Sequence, residues 1–360
     1  MAAIEERTLL DGGQTADEIA AGLLAWLGQA RESLDVALYD LRLPGPIGDA
    51  VADALRSLAA RGVAVRIAYN SDGDRTLKPL PPPPRTEPSL LETLGVPLRA
   101  IPGDPDLMHH KYVVRDRSAV WTGSTNWTLD SWTREENVVV TVASEALARA
   151  YARDYEDLWQ SGRVEGTGSF DVEAIDVDGV GVRAWFSPGR GPELSHRIAK
   201  RIGAARRRVR IASPVLTAAP ILAALNQALA EGEVDVAGVC DATQIAQVFS
   251  QWHTNEHSIW KAPLLWRVLS QLPWTGKVST PYAPGAVHDY MHAKVTVADD
   301  VVFLGSFNLS RSGEENAENV LEIADAALAE RMAAFVDVVR ARYGPVAVPA
   351  YAGRYVAPPA

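Results

Sequence analysis

This 360-residue sequence has little cysteine, and its basic residues are fewer than its acidic ones. The single cysteine, Cys240, excludes an internal disulfide and a zinc site built from cysteines. Basic residues number 35 against 45 acidic ones, so the net charge of −10 would repel nucleic acid except where a cleft is locally basic. No apolar run reaches the roughly 18 residues that suggest a membrane span, and the first residues, MAAIEERTLL, do not read as a secretory signal. We therefore expect a cytoplasmic protein without an integral membrane segment.

One pattern occurs twice in the chain. Each copy reads His-x-Lys, four residues, Asp, a short run and then Gly-Ser-x-Asn. The members of the two copies are His109, Lys111, Asp116, Ser124 and Asn126, then His292, Lys294, Asp299, Ser306 and Asn308. The run between Asp and Gly has six residues in the first copy and five in the second. This difference leaves Asp300 as an alternative to Asp299, which we prefer because it keeps the spacing from His-x-Lys.

The segments around the two motifs repeat as well. Strand-like runs at 34–41 and 209–216 are each followed by an apolar helical pattern and a second strand, an order that indicates parallel α/β structure. The fold class we predict is α/β, with two similar lobes of mixed or parallel sheets flanked by helices and related by a pseudo-twofold axis. The lobes are predicted at 1–163 and 181–347, joined by a linker at 164–180.

Two segments interrupt the repeat. Residues 79–84, PLPPPP, cannot be helix interior and are predicted to form a surface loop with polyproline character. Residues 245–291 form an insertion with four tryptophans, which either fill a satellite core or make an aromatic wall over a cleft. These tryptophans are Trp252, Trp260, Trp266 and Trp274.

The repeated residues have the chemistry to act on a tetrahedral anion. On a strand, His109 and Lys111 share one face while His110 points to the other and is predicted to be structural. If the lobes face each other across a cleft, two lysines and two asparagine amides supply hydrogen-bond donors, and one chain is sufficient for the site. The two histidines can then divide the roles of nucleophile and general acid. No cluster with metal-ligand spacing accompanies the motifs, so we expect neither a metal nor another cofactor.

A Glu-Asn pair stands ten residues after the motif asparagine in both copies. The pairs are Glu136-Asn137 and Glu318-Asn319. We expect Glu136 and Glu318 to orient the imidazoles through their second ring nitrogen, as the third member of a catalytic triad does.

The two motifs resemble the HKD signature of the phospholipase D superfamily, and the repeat extends this resemblance over most of residues 5–345. The resemblance implies a phosphodiesterase that acts through a covalent phosphohistidine, with His109 as the nucleophile and His292 as the general acid. It also implies that the lysines and asparagines of both motifs hold the phosphoryl oxygens. The aspartates, Asp116 and Asp299, would brace the motif loops.

The leading functional hypothesis is a metal-independent enzyme that hydrolyses or transphosphatidylates a phospholipid. A nuclease of the same superfamily that cuts DNA or RNA is the first alternative, although such an enzyme is expected to carry long basic surfaces. A catalytically silent module that binds an anionic group is the second.

Two further patterns carry weaker hypotheses. His253, Glu256 and His257 match the H-x-x-E-H pattern of some zinc proteases, but no third ligand is evident. The basic run 206–208 is predicted to be a solvated helix end rather than a nucleic-acid contact.

Overall fold

The computed structural model describes residues 3–71, 86, 88–280 and 288–354. The polyproline segment 79–84 and residues 281–287 of the insertion lie outside the described residues. Among the described residues, no helix is long and apolar enough to cross a membrane.

The first lobe alternates short strands and amphipathic helices. Its strands are β1 (Ile4–Leu9), β2 (Ser33–Leu38), β3 (Leu41–Arg42), β4 (Ala64–Ser71), β5 (Leu98–Pro102), β6 (Lys111–Arg115), β7 (Ala119–Gly123), β8 (Trp127–Thr128) and β9 (Asn137–Ala143). Its helices are α1 (Ala16–Leu27), α2 (Gly45–Ala60), α3 (Pro88–Glu92), α4 (Leu129–Thr133) and α5 (Glu145–Ser161). Helix α1 begins at a capping box, because Thr15 and Glu18 each accept the backbone N–H of the other.

The second lobe repeats this order and adds helices. Its strands are β10 (Ile175–Val177), β11 (Val180–Ser187), β12 (Arg208–Ala212), β13 (Asp235–Asp241), β14 (Trp274–Lys277), β15 (Val295–Ala298), β16 (Val301–Gly305) and β17 (Glu318–Ala324). Its helices are α6 (Gly191–Ala204), α7 (Ala219–Glu231), α8 (Ala242–Asn255), α9 (Ala262–Gln271), α10 (Arg311–Glu315) and α11 (Ala326–Ala341), with 3₁₀ turns at Ile259–Lys261 and Ala352–Arg354.

The two main sheets have the same topology. In the described residues the first sheet runs β1-β9-β7-β6-β2-β4-β5, and the second runs β10-β11-β17-β16-β15-β12-β13-β14. Apart from β10, each strand of one sheet has its counterpart in the other. The strand–helix–strand prediction is confirmed, since β2 pairs in parallel with β4 and β12 with β13. The motif strands β6 and β15 instead pair antiparallel with β2 and β12, so both sheets are mixed. The α/β class with two similar lobes is therefore confirmed.

One apolar cluster joins the two lobes. Helices α5 and α11 lie in it, together with side chains from both sheets such as Tyr112 and Leu321. On the opposite faces, α1 and α2 cover the first sheet and α6 and α7 cover the second. The predicted linker is part of the shared core rather than an exposed tether, because Phe170, Val172 and Val177 are buried in it. Strand β10 also begins inside the linker. The predicted boundaries at 163 and 181 thus remain a proposal.

Three of the four tryptophans of the insertion pack against the second-lobe core. Trp274 is buried, and Trp252 and Trp266 are partly buried there. Trp260 differs, with 59% of its surface exposed. The packing agrees with the satellite-core interpretation for three of these residues and not for Trp260.

The motif aspartates each bind a turn of backbone in their own lobe. Asp116 accepts the backbone N–H groups of residues 31, 32 and 33 at 2.7–3.1 Å. Asp299 accepts those of residues 206, 207 and 208 at 2.8–3.0 Å. Both adopt a positive φ, near 51° and 52°, at the start of a hairpin turn. Asp300 instead pairs with the guanidinium of Arg207 at the surface.

These contacts predict different stabilities for two adjacent substitutions. Asp299→Asn should lower the free energy of unfolding by about 2 kcal/mol, because three N–H groups lose a charged acceptor. Asp300→Asn should cost at most about 1 kcal/mol, since it removes only an exposed ion pair. Urea denaturation of both variants checks this, and equal losses would contradict the equivalence of Asp299 with Asp116.

Candidate active site

The histidine of the first motif is held by a carboxylate from the second lobe. His109 is buried two residues before β6, and its Nδ1 lies 2.8 Å from Oε2 of Glu318, the first residue of β17. Its backbone N–H donates to the carbonyl of Ala317 at 2.9 Å. Ionised Glu318 can only accept, so with this form of the carboxyl group Nδ1 carries the proton and the Nε2 lone pair is left for a reaction.

The histidine of the second motif is held by an amide from the first lobe. Nδ1 of His292 lies 3.0 Å from Oδ1 of Asn137 and 3.2 Å from Oε2 of Glu135. The amide orientation is fixed, because Nδ2 of Asn137 donates to the carbonyl of Ser131 and to Glu135. Its oxygen therefore faces His292, whose Nδ1 donates.

The two lobes thus exchange support at equivalent positions. Gly123 pairs with Val139 across β7 and β9, and Gly305 pairs with Val320 across β16 and β17. This register makes Asn137 the structural counterpart of Glu318. Backbone bridges are reciprocal as well: Met108 pairs with Ala317, and Glu136 pairs with Met291.

The expectation for Glu136 is wrong. Its carboxylate lies 3.1 Å from Nζ of Lys277 and accepts a hydrogen bond from the hydroxyl of Tyr343, so it binds the two lobes together. The ten-residue spacing misled the prediction, because the segment between Gly123 and β9 is one residue longer than its counterpart. Asn137 and Glu135 instead contact the second imidazole. Glu318 contacts the first one as expected.

Both motif lysines are buried beside the histidines. Nζ of Lys111 donates to the carbonyl of His109 at 2.7 Å, and Nζ of Lys294 donates to that of His292 at 2.6 Å. Each ammonium group keeps two further donors. The ring of Tyr39 lies 4.8 Å from Nζ of Lys111 and meets the ring of His109 edge-on at 4.6 Å.

The asparagines and serines of the Gly-Ser-x-Asn segments differ in their contacts. Among the described residues, Oδ1 of Asn126 and Oδ1 of Asn308 are buried without a hydrogen-bond partner, so each amide has an unused acceptor. Ser124 donates to Oδ1 of Asn137 at 2.6 Å. Ser306 accepts the backbone N–H of Asn319 at 3.0 Å. The serines therefore support the residues that hold the histidines.

Burial dominates the ionisation of this cluster. It lowers the pKa of both His109 and His292 well below the ordinary value, and the two nearby lysines lower them further. Burial also lowers the pKa of Lys111 to about 7 against the attraction of Glu318 and Asp40. It raises the pKa of Glu318 to about 7. These groups influence one another, so they titrate as one unit.

The remaining sequence patterns do not join this cluster. Helix α8 ends at Asn255 and Glu256 is left-handed, so the H-x-x-E-H pattern lacks the helix that would align His253 with His257. No group of three or more candidate metal ligands occurs in the part of the chain that the structure describes. Cys240 is buried, and burial raises the pKa of its thiol.

Sequence reasoning missed Glu135, Asn137 and Tyr39. Tyr39 directly follows the carboxyl end of β2, where side chains of α/β sheets commonly meet ligands, so its position was a usable signal. Glu135 and Asn137 flank Glu136, and only the strand register shows that they, and not Glu136, face the second imidazole.

A family model described as "Cardiolipin synthase, PLD-like domain" matches residues 23–159 and 198–338, once per lobe. Two curated relatives are mitochondrial cardiolipin hydrolases. That of Xenopus tropicalis is 30% identical over 149 residues, covering 40% of this chain and 62% of the relative. That of Homo sapiens is 32% identical over 144 residues, covering 38% and 50%. The chain therefore spans less than two thirds of the length of these relatives.

A solved structure resembles nearly the whole chain. Phosphatidylserine synthase of Haemophilus influenzae superposes with a TM-score of 0.62 at 14% identity, covering 94% of this chain and 85% of the other. At this identity the likeness concerns the fold.

The buried lysines predict that anion binding takes up protons. An anion raises the pKa of Lys111, and also that of Glu318, from about 7. Once the second ionisation of phosphate itself is subtracted, uptake by these two groups should be larger near pH 8 than near pH 6, where both already hold a proton. Calorimetry in buffers of different ionisation enthalpy measures this.

Lys111→Met should weaken phosphate binding by about tenfold or more, because a charged hydrogen bond is lost. Lys200→Met, at an exposed position on α6, serves as the control and should leave binding unchanged. Proton release, or equal affinity in both variants, would contradict binding at the buried cluster.

Proposed function

This chain belongs to the phospholipase D-like family, with one cardiolipin synthase-type domain match in each lobe, and from that premise we propose that it is a metal-independent phosphodiesterase that acts on a phospholipid. The observation that carries the proposal is the convergence of both motif histidines and both motif lysines in one buried cluster. The ionisation of each histidine responds to the lysines of both lobes, which is the arrangement a single phosphodiester requires.

The proposed reaction has two displacements. Nε2 of His109 attacks phosphorus, the bond from phosphorus to the leaving oxygen breaks, and His292 gives its Nε2 proton to that oxygen. Water then attacks the phosphohistidine while His292 takes its proton, and the phosphorus–nitrogen bond breaks. An alcohol in place of water gives transfer instead of hydrolysis. The lysines and the amides of Asn126 and Asn308 would hold the phosphoryl oxygens.

The different partners of the two histidines support this division of roles. Phosphorylation places positive charge on the ring of His109, and Glu318 at 2.8 Å offsets it directly. His292 has a neutral amide as its nearer partner and the carboxylate of Glu135 slightly farther away. The general acid must start protonated, and an incoming anionic diester raises the pKa that burial and the lysines hold low.

The surroundings of the cluster favour a single diester over a polyanion. Asp106 and Asp289 each precede a motif histidine by three residues. Burial, Glu315, Glu165 and Asp104 raise the pKa of Asp106, so acids gather around this residue. A polynucleotide would bring further phosphates towards these carboxylates. We therefore favour a lipid, as the names of the relatives suggest, over DNA or RNA.

The roles of the histidines are tested by covalent labelling. With a ³²P-labelled phospholipid, His109→Asn should abolish labelling because the attacking nitrogen is lost. His292→Asn should accumulate label, since the group that would take the proton of the attacking water is then missing. Acid-labile radioactivity retained on the protein measures both, and the reverse pattern would exchange the two roles.

Substrate class is tested in parallel assays with excess EDTA. The protein should hydrolyse bis(p-nitrophenyl) phosphate and cleave cardiolipin or phosphatidylcholine in vesicles, but leave single-stranded DNA intact. Loss of turnover in EDTA would refute metal independence. DNA cleavage without lipid cleavage would favour the nuclease, and well-folded protein without any turnover would favour a binding module.

The proposal also includes a cytoplasmic location and a monomer as the active unit.

A further inference from the structure

A buried polar network lies on the side of β17 that faces away from the candidate active site. Its centre is Asn319, the residue after Glu318 on β17, which is fully buried. Its side-chain oxygen accepts the hydroxyl of Thr122 at 2.6 Å and that of Tyr151 at 3.1 Å. Both donors belong to the first lobe, so a second-lobe amide is held mainly by groups of the other lobe.

His110 and the buried carboxylate of Asp154 lie next to this network. Nδ2 of Asn319 lies 3.4 Å from Nδ1 of His110. Nε2 of His110 lies 3.1 Å from Oδ2 of Asp154 on α5, and the hydroxyl of Tyr112 donates to the same oxygen at 2.9 Å. His110 and Asp154 have no solvent-exposed surface. The proposed reaction uses none of these residues.

Two adjacent pairs connect this network to the reacting groups. His109 and His110 are consecutive residues just before β6, and Glu318 and Asn319 alternate across β17. On one face Glu318 meets His109, and on the other face Asn319 meets His110. A displacement of β17 relative to β6 would change both contacts together.

Among the residues that the structure describes, the second motif lacks the counterparts of His110 and Asn319. Ala293 stands where the first motif has His110, and the strand register places Val138 at the position of Asn319. Both are buried apolar residues. The network therefore lies beside His109, whose nearest Nδ1 partner is a carboxylate, and not beside His292, whose nearest Nδ1 partner is an amide.

We infer that Asn319, held by Thr122, Tyr151 and the His110–Asp154 pair, is a positioning residue that fixes Glu318 against Nδ1 of His109. The catalytic consequence rests on the proposed function, whereas the effect on His109 can be observed in the resting protein. Small misplacements are costly in such sites, because a shift of about 1 Å can reduce a rate by about a hundredfold.

A matched pair at position 122 tests the inference with little change in volume. Thr122→Val removes the hydroxyl that donates to Asn319, whereas Thr122→Ser keeps it. In single-turnover labelling, the valine variant should react about tenfold or more slowly with an unchanged KM. The serine variant should recover most of the rate. Asn319→Val, which copies Val138, should have the larger effect, and the position-122 pair remains informative if that variant fails to fold.

Nuclear magnetic resonance of ¹⁵N-histidine-labelled protein supplies a readout that does not need turnover. His109, identified by the signals that His109→Gln removes, should be the Nδ1-protonated tautomer in the wild type. Thr122→Val should give a mixture of tautomers at His109, and Thr122→Ser should not.

The two failures can be told apart. A wild type that forms no phosphohistidine refutes the proposed function, and the tautomer of His109 still tests the network. If Thr122→Val lowers the melting temperature but changes neither the tautomer nor the labelling rate of folded protein, the network is merely structural and the inference is overturned.

Discussion

Each motif histidine is completed by a strand from the opposite lobe, and the rest of the site depends on this exchange. The first residue of β17 holds His109, and the first residue of β9 holds His292. Neither lobe alone can fix the tautomer of its own imidazole. The shared apolar cluster and the Lys277–Glu136 pair act on the same boundary, because they prevent the lobes from separating. A single chain with both motifs therefore assembles what half of it could not.

Burying two ammonium groups beside two carboxylates has a cost that shapes the chemistry. Charges removed from water are stable only when partners and hydrogen bonds compensate them, and otherwise a group gives up its charge. Lys111 and Glu318 are close to that balance, as their pKa values of about 7 show. An anion entering the cluster supplies the missing negative charge and favours the protonated lysines. The site is thus more fully charged with an anion bound than without one, so a bound anion takes part in completing it.

The sequence was sufficient to predict the lobes, their internal order and most of the cluster. Spacing within a strand is rigid, so His-x-Lys placed both functional groups on one face. The roles of Asp116 and Asp299 were also predictable, since each lies at a hairpin turn beside its own motif. Glu135 was not predictable, because its role arises from a pairing between segments far apart in the chain, whereas the position of Tyr39 after β2 was a usable signal. The packed linker likewise depends on tertiary contacts that its glycine-rich and acidic composition hides.

The error at Glu136 shows that residue spacing identifies equivalent positions of the two lobes within strands but not across turns. The two copies differ in length at the β6–β7 turn and again between β7 and β9, and both extra residues lie outside strands. Turns absorb an insertion without disturbing the strand pairing, so equal spacing across them need not mean equal position. The Glu-Asn pairs look equivalent because each stands ten residues after its motif asparagine. The strand register instead aligns Asn137 with Glu318, and Val138 with Asn319. Two copies of one pattern thereby hold different histidines through different groups, so the two halves of the cluster are not equivalent.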